Sequence, residues 1–136
     1  MALVQLRRLQ PDGLHATPGY SHVTVVAPGR LVFLAGQCPL DATGALVGDG
    51  DLLAQVDQVV ANTLVALQAA GAGASDVVAT TIWVVAERRE DLAAVWSRLR
   101  ASSLADAFTT ASTLVGVSLL GFPGQLVELD VVAALP

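Results

Sequence analysis

Apolar residues run along this chain first in short β-branched blocks, then at helical spacing, then in blocks again. Val23-Thr24-Val25-Val26 and Leu31-Val32-Phe33-Leu34 flank Pro28-Gly29, and the pattern predicts a hairpin. An earlier segment, Val4 to Leu9, is placed to pair with them. A glycine-rich loop follows from Gly36 to Gly50, with turn chemistry in Asp41-Ala42-Thr43-Gly44 and Gly48-Asp49-Gly50. From Asp51 the period lengthens. Leu53, Val56, Val60, Leu64 and Leu67 recur at helical spacing, and Asp51, Gln55, Gln58 and Asn62 share the opposite face. Asp51 is a natural N-cap and Gly71 a natural C′ residue for that helix.

Val77 to Val85 is continuously apolar and β-branched, which predicts a strand covered on both faces. A second helix is expected from about Arg89, with Leu92, Val95, Trp96 and Leu99 as its apolar stripe. Glu90 and Asp91 near its start and Arg98 and Arg100 near its end suit the helix dipole. The last strands are Ser112–Leu119 and Leu126–Ala133, joined through Gly121-Phe122-Pro123-Gly124. The order of strands, helix, strand, helix and strands reads as one α+β domain over residues 1–136. Two helices can cover one face of its sheet, so the other face needs another partner.

Composition sharpens that point. Only 14% of residues are charged and 54% are hydrophobic, against about 25% charged in an average soluble domain. Such a surface reads either as a small-residue style of sequence or as one partly enclosed in an oligomer. The net charge is −5, and the seven basic residues are all arginines, scattered singly or in pairs. Nucleic acid binding needs a concentrated positive field, so the pattern argues against that partner. Cys38 is the single cysteine, which excludes an intramolecular disulfide and a multi-cysteine metal site. Residues 107–127 carry no formal charge, but Gly116, Gly121, Pro123 and Gly124 break them into strand, turn and strand rather than a membrane span. The N-terminus does not read as a signal peptide, and a cytoplasmic protein is the simplest expectation.

Five stretches carry a resemblance. They are Gly19-Tyr20-Ser21-His22, then Pro28-Gly29-Arg30 through Gly36-Gln37-Cys38-Pro39-Leu40-Asp41, then Asn62 to Ala72, then Thr110-Ala111-Ser112-Thr113-Leu114-Val115-Gly116-Val117, and Leu126-Val127-Glu128-Leu129-Asp130. In order and spacing they resemble the Rid (reactive intermediate deaminase, YjgF-type) family over about Gly19 to Ala134. The resemblance implies a chorismate-mutase-like fold, a mixed six-stranded sheet with two helices packed on one face. It also implies a homotrimer in which the bare sheet faces meet and clefts form between neighbours. Active members of that family hydrolyse 2-imino or 2-enamino acids to 2-keto acids and ammonia in those clefts.

One departure matters most. Where the family pattern has an arginine that clamps the substrate carboxylate, this chain has Ser112. A neutral hydroxyl offers one donor and no charge, and losing a charged partner in an enclosed site costs about 2–5 kcal/mol. Ser112 is therefore either a small residue at a strand start or a repurposed substrate contact. Trp96 stands where the family often has a cleft asparagine, and it either packs in the helix stripe or lines the pocket. By the resemblance Glu128 orients the attacking water and Tyr20 borders the cleft, the two catalytic candidates. Gly36 would bring its backbone to the ligand, and with Ser112 and Trp96 it completes the substrate-binding set.

No cofactor is implied. His15 and His22 lack a third ligand, and the aspartates near glycines lack calcium-loop spacing. Gly71-Ala72-Gly73-Ala74 follows a helix and is not a dinucleotide loop. Nothing in the spacing brings Cys38, His22 and Glu128 together, and Cys38 beside Pro39 reads as a small buried residue. Two functions are expected from these residues. One is deamination of a small imine or enamine, with altered substrate or reduced activity and a shift toward substrates lacking a carboxylate. The alternative is a non-catalytic, metabolite-binding or regulatory trimer.

Overall fold

The structure is a computed structural model and describes residues 5–136. Its elements are β1 (Leu6–Leu9), β2 (Val23–Val26), β3 (Arg30–Phe33), α1 (Leu52–Ala69), β4 (Val77–Val85), α2 (Arg89–Arg100), β5 (Ala111–Val117) and β6 (Val127–Leu135). β3, β6, β4 and β5 form one mixed sheet in that order, and β1 and β2 form an antiparallel ribbon. A parallel bridge from Ser21 to Ala111 joins the ribbon to the β5 edge. There the Thr24 and Thr110 hydroxyls bond each other, and the Ala111 amide donates to Thr24 Oγ1. The expected six strands are thus a four-stranded sheet extended by a ribbon.

The predicted hairpin around Pro28-Gly29 does not form. β2 pairs with β1, from Leu6–Val26 to Leu9–Val23, while β3 crosses to β6, from Arg30–Leu135 to Phe33–Val132. Both strands have edges better satisfied by distant partners, which a local pattern cannot register. Gly29 serves that crossing, since a Cβ there would lie 2.3 Å from the Leu135 carbonyl oxygen. Val4, the expected start of the first strand, lies outside the described residues.

Helix α1 keeps its predicted ends. Asp51 Oδ1 accepts from the Ala54 amide at 3.0 Å. At the other end Gly71 has φ +77°, and the Gly71 and Ala72 amides donate to the Gln68 and Leu67 carbonyls, closing a Schellman turn. Helices α1 and α2 pack on one sheet face around Val56, Leu67, Ile82, Val95, Leu99, Phe108 and Leu129. Alternation along β4 and β6 sends Ile82, Val84, Leu129 and Val131 into that core. Trp83, Thr81, Glu128 and Asp130 fall on the opposite face, in register as Trp83–Glu128 and Thr81–Asp130. That second face is uncovered in the single chain, the face expected to need another partner, and on it Phe33 is 73% and Leu31 54% exposed. Among the described residues no helix is long and apolar enough to cross a membrane.

Gln55 corrects the reading of α1. Placed with the polar face by spacing, it is fully buried. Its amide donates to the Gly48 and Gly124 carbonyls, both at 3.0 Å, and its Oε1 accepts from the Leu126 amide at 2.7 Å. Every bond the buried amide makes fastens a loop to the helix, so its burial leaves no polar group stranded.

Candidate functional site

The five candidate residues fall into two clusters. The first gathers Tyr20, Trp96 and Ser112 around a cavity of about 660 Å³ that Leu92 and Leu114 also line. Helix α2 supplies one wall and the start of β5 another. Trp96 is half-buried, its ring edge-on to Phe108 at 5.9 Å and to Tyr20 at 6.2 Å. It therefore does both things its spacing allowed, packing on the core and lining the cavity. Its indole N–H donates to the Pro18 carbonyl at 3.2 Å, and Arg100 donates to the same oxygen at 2.6 Å.

This double anchor sets the backbone before Tyr20. Gly19 has φ +128°, and a Cβ there would sit 2.4 Å from the Arg100 guanidinium carbon, so only glycine fits. The Tyr20 carbonyl accepts from Gln10 at 2.8 Å and from the Thr17 hydroxyl. The phenol lies 3.4 Å from His15 Nε2. Ser112 Oγ donates to the Thr110 carbonyl at 3.0 Å. Its single proton is thus spent on its own strand, leaving the oxygen as an acceptor toward the cavity.

The second cluster is built on Glu128 and Gly36. A Cβ on Gly36 would lie 2.4 Å from Glu128 Oε2 and 2.9 Å from Asp130 Oδ1. The carboxylates press directly on this stretch of backbone, which pairs with β6 through Gln37 and Leu129 at 2.8 and 3.1 Å. Glu128 Oε1 receives two donors, the Cys38 thiol at 3.2 Å and Gln125 Nε2 at 3.1 Å. Oε2 accepts no hydrogen bond among the described residues. Asp130 Oδ2 accepts from the Trp83 indole at 3.1 Å. Asn62 on α1 holds the loop in place, donating to the Cys38 and Leu40 carbonyls at 2.9 and 2.8 Å.

Sequence spacing did not bring Cys38 to Glu128, yet the two are in contact, while His22 instead bonds the His15 carbonyl at 2.8 Å. Burial, reinforced by the hydrogen bond to Glu128 and its negative charge, pushes the Cys38 thiol up to about 11. The thiol stays protonated at neutral pH and acts as a donor rather than a nucleophile. Gln125 was also missed. It is buried, donates to the Val127 carbonyl at 3.1 Å and accepts from the Phe122 amide at 3.1 Å. Its place three residues before Glu128 was the only available signal. Among the described residues no group of three His, Cys, Asp or Glu is gathered to hold a metal.

The clusters lie on opposite faces of the sheet. Ser112 pairs with Thr80, which faces the helices, and Glu128 pairs with Trp83, which faces away. Two strands and three residues separate them, roughly 14 Å by strand geometry. One small molecule cannot touch both within one chain.

Comparison with known proteins gives consistent matches. The sequence profile of the family described as Endoribonuclease L-PSP matches residues 11–135. The RutC family protein slr0709 of Synechocystis is 36% identical over 112 residues, covering 82% of this chain and 83% of that one. The crystal structure of YyfB from Yersinia pestis, a Rid family protein of unknown function, superposes with a TM-score of 0.87 at 36% identity, over 96% of this chain and 98% of that one. Rv2704 of Mycobacterium tuberculosis, from the YjgF/YER057c/UK114 family, gives 0.58 at 27% identity, over 96% and 100%. Two helices over one face of a mixed sheet, with these neighbours, make the fold α+β and chorismate-mutase-like.

Proposed function

Since the chain belongs to the Endoribonuclease L-PSP family, the group of the Rid (YjgF-type) proteins, we propose that it is a homotrimer hydrolysing a small imine or enamine in clefts between subunits. The observation that carries this reading is the Glu128 carboxylate. Two donors fix Oε1, Gly36 makes room for Oε2 against the backbone, and Oε2, which accepts no hydrogen bond among the described residues, is the oxygen left to hold a water. The separation of the two clusters supports a composite cleft, with Glu128, Gly36 and Cys38 from one subunit and Tyr20, Trp96 and Ser112 from the next. The exposed apolar side chains of Phe33 and Leu31 on the sheet face that carries Glu128 support the same arrangement.

In the proposed reaction Glu128 Oε2 takes a proton from water as the water oxygen bonds to the imine carbon. The C=N π pair moves to nitrogen, giving a carbinolamine. Glu128 returns that proton to nitrogen, then takes the carbinolamine's hydroxyl proton and delivers it to the same nitrogen as the C–N bond breaks and the C=O bond forms, so the nitrogen leaves as ammonia. Imine and water become a carbonyl compound and ammonia, with no redox change. An enamine reaches the same path after protonation at carbon. Tyr20 and Trp96 border the substrate and the Ser112 oxygen accepts from its polar end. The net charge of −5 without a lysine favours a small metabolite over RNA.

The test is hydrolysis of 2-iminopropionate generated in situ by an amino-acid oxidase, using wild type, Glu128→Gln, Ser112→Trp, and a co-refolded mixture of the two variants. Each variant alone is expected to be inactive. An equal mixture should recover roughly a quarter of the sites, because a site needs one intact half from each of two neighbours. No recovery, with both variants folded, would overturn the composite cleft. A silent wild type, repeated with an imine lacking a carboxylate, would favour the binding or regulatory trimer.

A further inference from the structure

Among the residues lining the Tyr20–Trp96–Ser112 cavity, Arg89 is the one that carries a charge. It stands at the first turn of α2, on the helix face that continues through Leu92 and Trp96, so its stem runs along the cavity wall. Five of the seven arginines are committed elsewhere. Arg8 donates to the Ser75 and Val77 carbonyls, Arg30 to Pro136, and Arg100 to Pro18, while Arg88 pairs with Asp91 and Arg98 with Asp57. Arg89 makes no hydrogen bond or ion pair among the described residues, and neither does Arg7, which is not at the cavity. Of the two acids in the first turn, Asp91 pairs with Arg88 at 3.6 Å, and Glu90 makes no ion pair among the described residues.

An uncommitted guanidinium beside aromatic and aliphatic walls is a binding site for a small anion with an apolar body. The guanidinium, exposed at the edge of the cavity, has the planar fork that matches a carboxylate, and the aromatic and aliphatic lining offers a surface for an apolar body. Ser112 cannot fill that role, since its only proton is held by the Thr110 carbonyl. We infer that Arg89 is the anion-binding residue of this cavity and that its ligand carries a carboxylate, with the cation delivered from helix α2 rather than from the strand residue Ser112. The inference rests on the proposed cleft and names its substrate class. It also replaces the expectation, drawn from Ser112 alone, of a substrate without a carboxylate.

Two stable probes of equal shape separate this from the reading beneath it. Benzoate and benzamide differ in charge and are titrated into 15N-labelled protein, following the Trp96 indole resonance, for wild type, Arg89→Gln, Arg7→Gln and the double variant Arg89→Gln/Ser112→Arg. Wild type should prefer benzoate. Arg89→Gln should weaken benzoate by about tenfold or more while moving benzamide less than about threefold. Arg7→Gln should leave the preference intact, and restoring a cation at Ser112 in the double variant should bring it back. Equal binding of the two probes by wild type, or a preference that survives Arg89→Gln, would overturn the role of Arg89 and leave the cavity as a neutral-ligand site. If neither probe moves the Trp96 resonance, both the inference and the placing of substrate at this cavity fall.

Discussion

The Cys38 thiol and the Glu128 carboxylate, 90 positions apart in sequence, meet at 3.2 Å, and the thiol is the donor. With Gln125 on the same oxygen, this contact fixes which carboxylate oxygen is occupied and which is open. A residue that looked like a small buried apolar side chain is therefore an orienting group for the proposed general base.

Cys38 should alkylate slowly. A thiol raised from 9.0 to about 11 has roughly one hundredth of the thiolate at pH 8. Iodoacetamide labelling, followed by mass spectrometry, is expected to run about two orders of magnitude slower than for a cysteine peptide and to accelerate steeply toward pH 11. Glu128→Gln should speed it, because the carboxylate charge and hydrogen bond both favour the protonated thiol. A peptide-like rate in wild type would show that the thiol does not hold this contact.

Gly36→Ala should separate site from stability. The obstructing atoms are the carboxyl ends of Glu128 and Asp130, which can swing away, so the cost is expected at the low end of the about 1–3 kcal/mol for overpacking. The carboxylate, once displaced, loses its bonds to Cys38 and Gln125. Urea unfolding should change little while imine hydrolysis falls with Glu128→Gln. Full activity in this variant would mean that Glu128 need not lie against the backbone.

Gln55→Leu should behave in the opposite way. It strands the Gly48 and Gly124 carbonyls and the Leu126 amide in a buried place. A loss of about 2–4 kcal/mol is expected, since each unsatisfied buried group costs about 1–3 kcal/mol and part of the loss relaxes. The midpoint of urea unfolding reads it directly. A loss below about 1 kcal/mol would show that water replaces the amide.

The Asp57–Arg98 pair gives a pH signature. Arg98 donates twice to Asp57, at 2.8 and 2.7 Å, and holds its carboxyl below the usual 3.8. A depressed folded value adds stability above pH 3.8 and loses it as pH falls through the folded value. Both side chains are about half exposed, so the effect is small. Arg98→Ala should lower the melting temperature slightly at pH 6, with the gap closing toward pH 2. A gap that widens in acid would reverse the assigned sign.

What the sequence disclosed was mostly local or alternating. Asp51 and Gly71 mark the ends of α1 because caps act within a turn or two of themselves. Alternation put Glu128 and Asp130 on one face of β6. The β2–β3 hairpin failed because pairing depends on which distant edges compete, β1 for β2 and β6 for β3. Gln55 was misplaced because helical periodicity sees polarity but not the loops that make a buried amide welcome. The Cys38–Glu128 contact and the presence of Arg89 at the cavity both depend on tertiary placement and leave no mark in spacing. The resemblance singled out Ser112, whereas nothing in the sequence singled out Arg89, which lines the same cavity.

Tyr20 stands just before the ribbon, and the ribbon is held by side-chain bonds and one bridge rather than a full strand ladder: the Ser21–Ala111 bridge, Ser21 Oγ to the Thr109 carbonyl, the threonine hydroxyls, and Arg8 to the Ser75 and Val77 carbonyls. Peeling the ribbon away would sever few bonds and leave the helix-covered core whole, so it is expected to be a low-energy excursion of the native state. Amide deuteration at Val23–Val26 should then outpace that at Val127–Leu135, and equal protection would argue that ribbon and core open together. On this account the parts of the proposed cleft differ in durability. The Tyr20 side of the cavity would loosen first, while Trp96, Ser112 and the Glu128 carboxylate stay on elements of the helix-covered core.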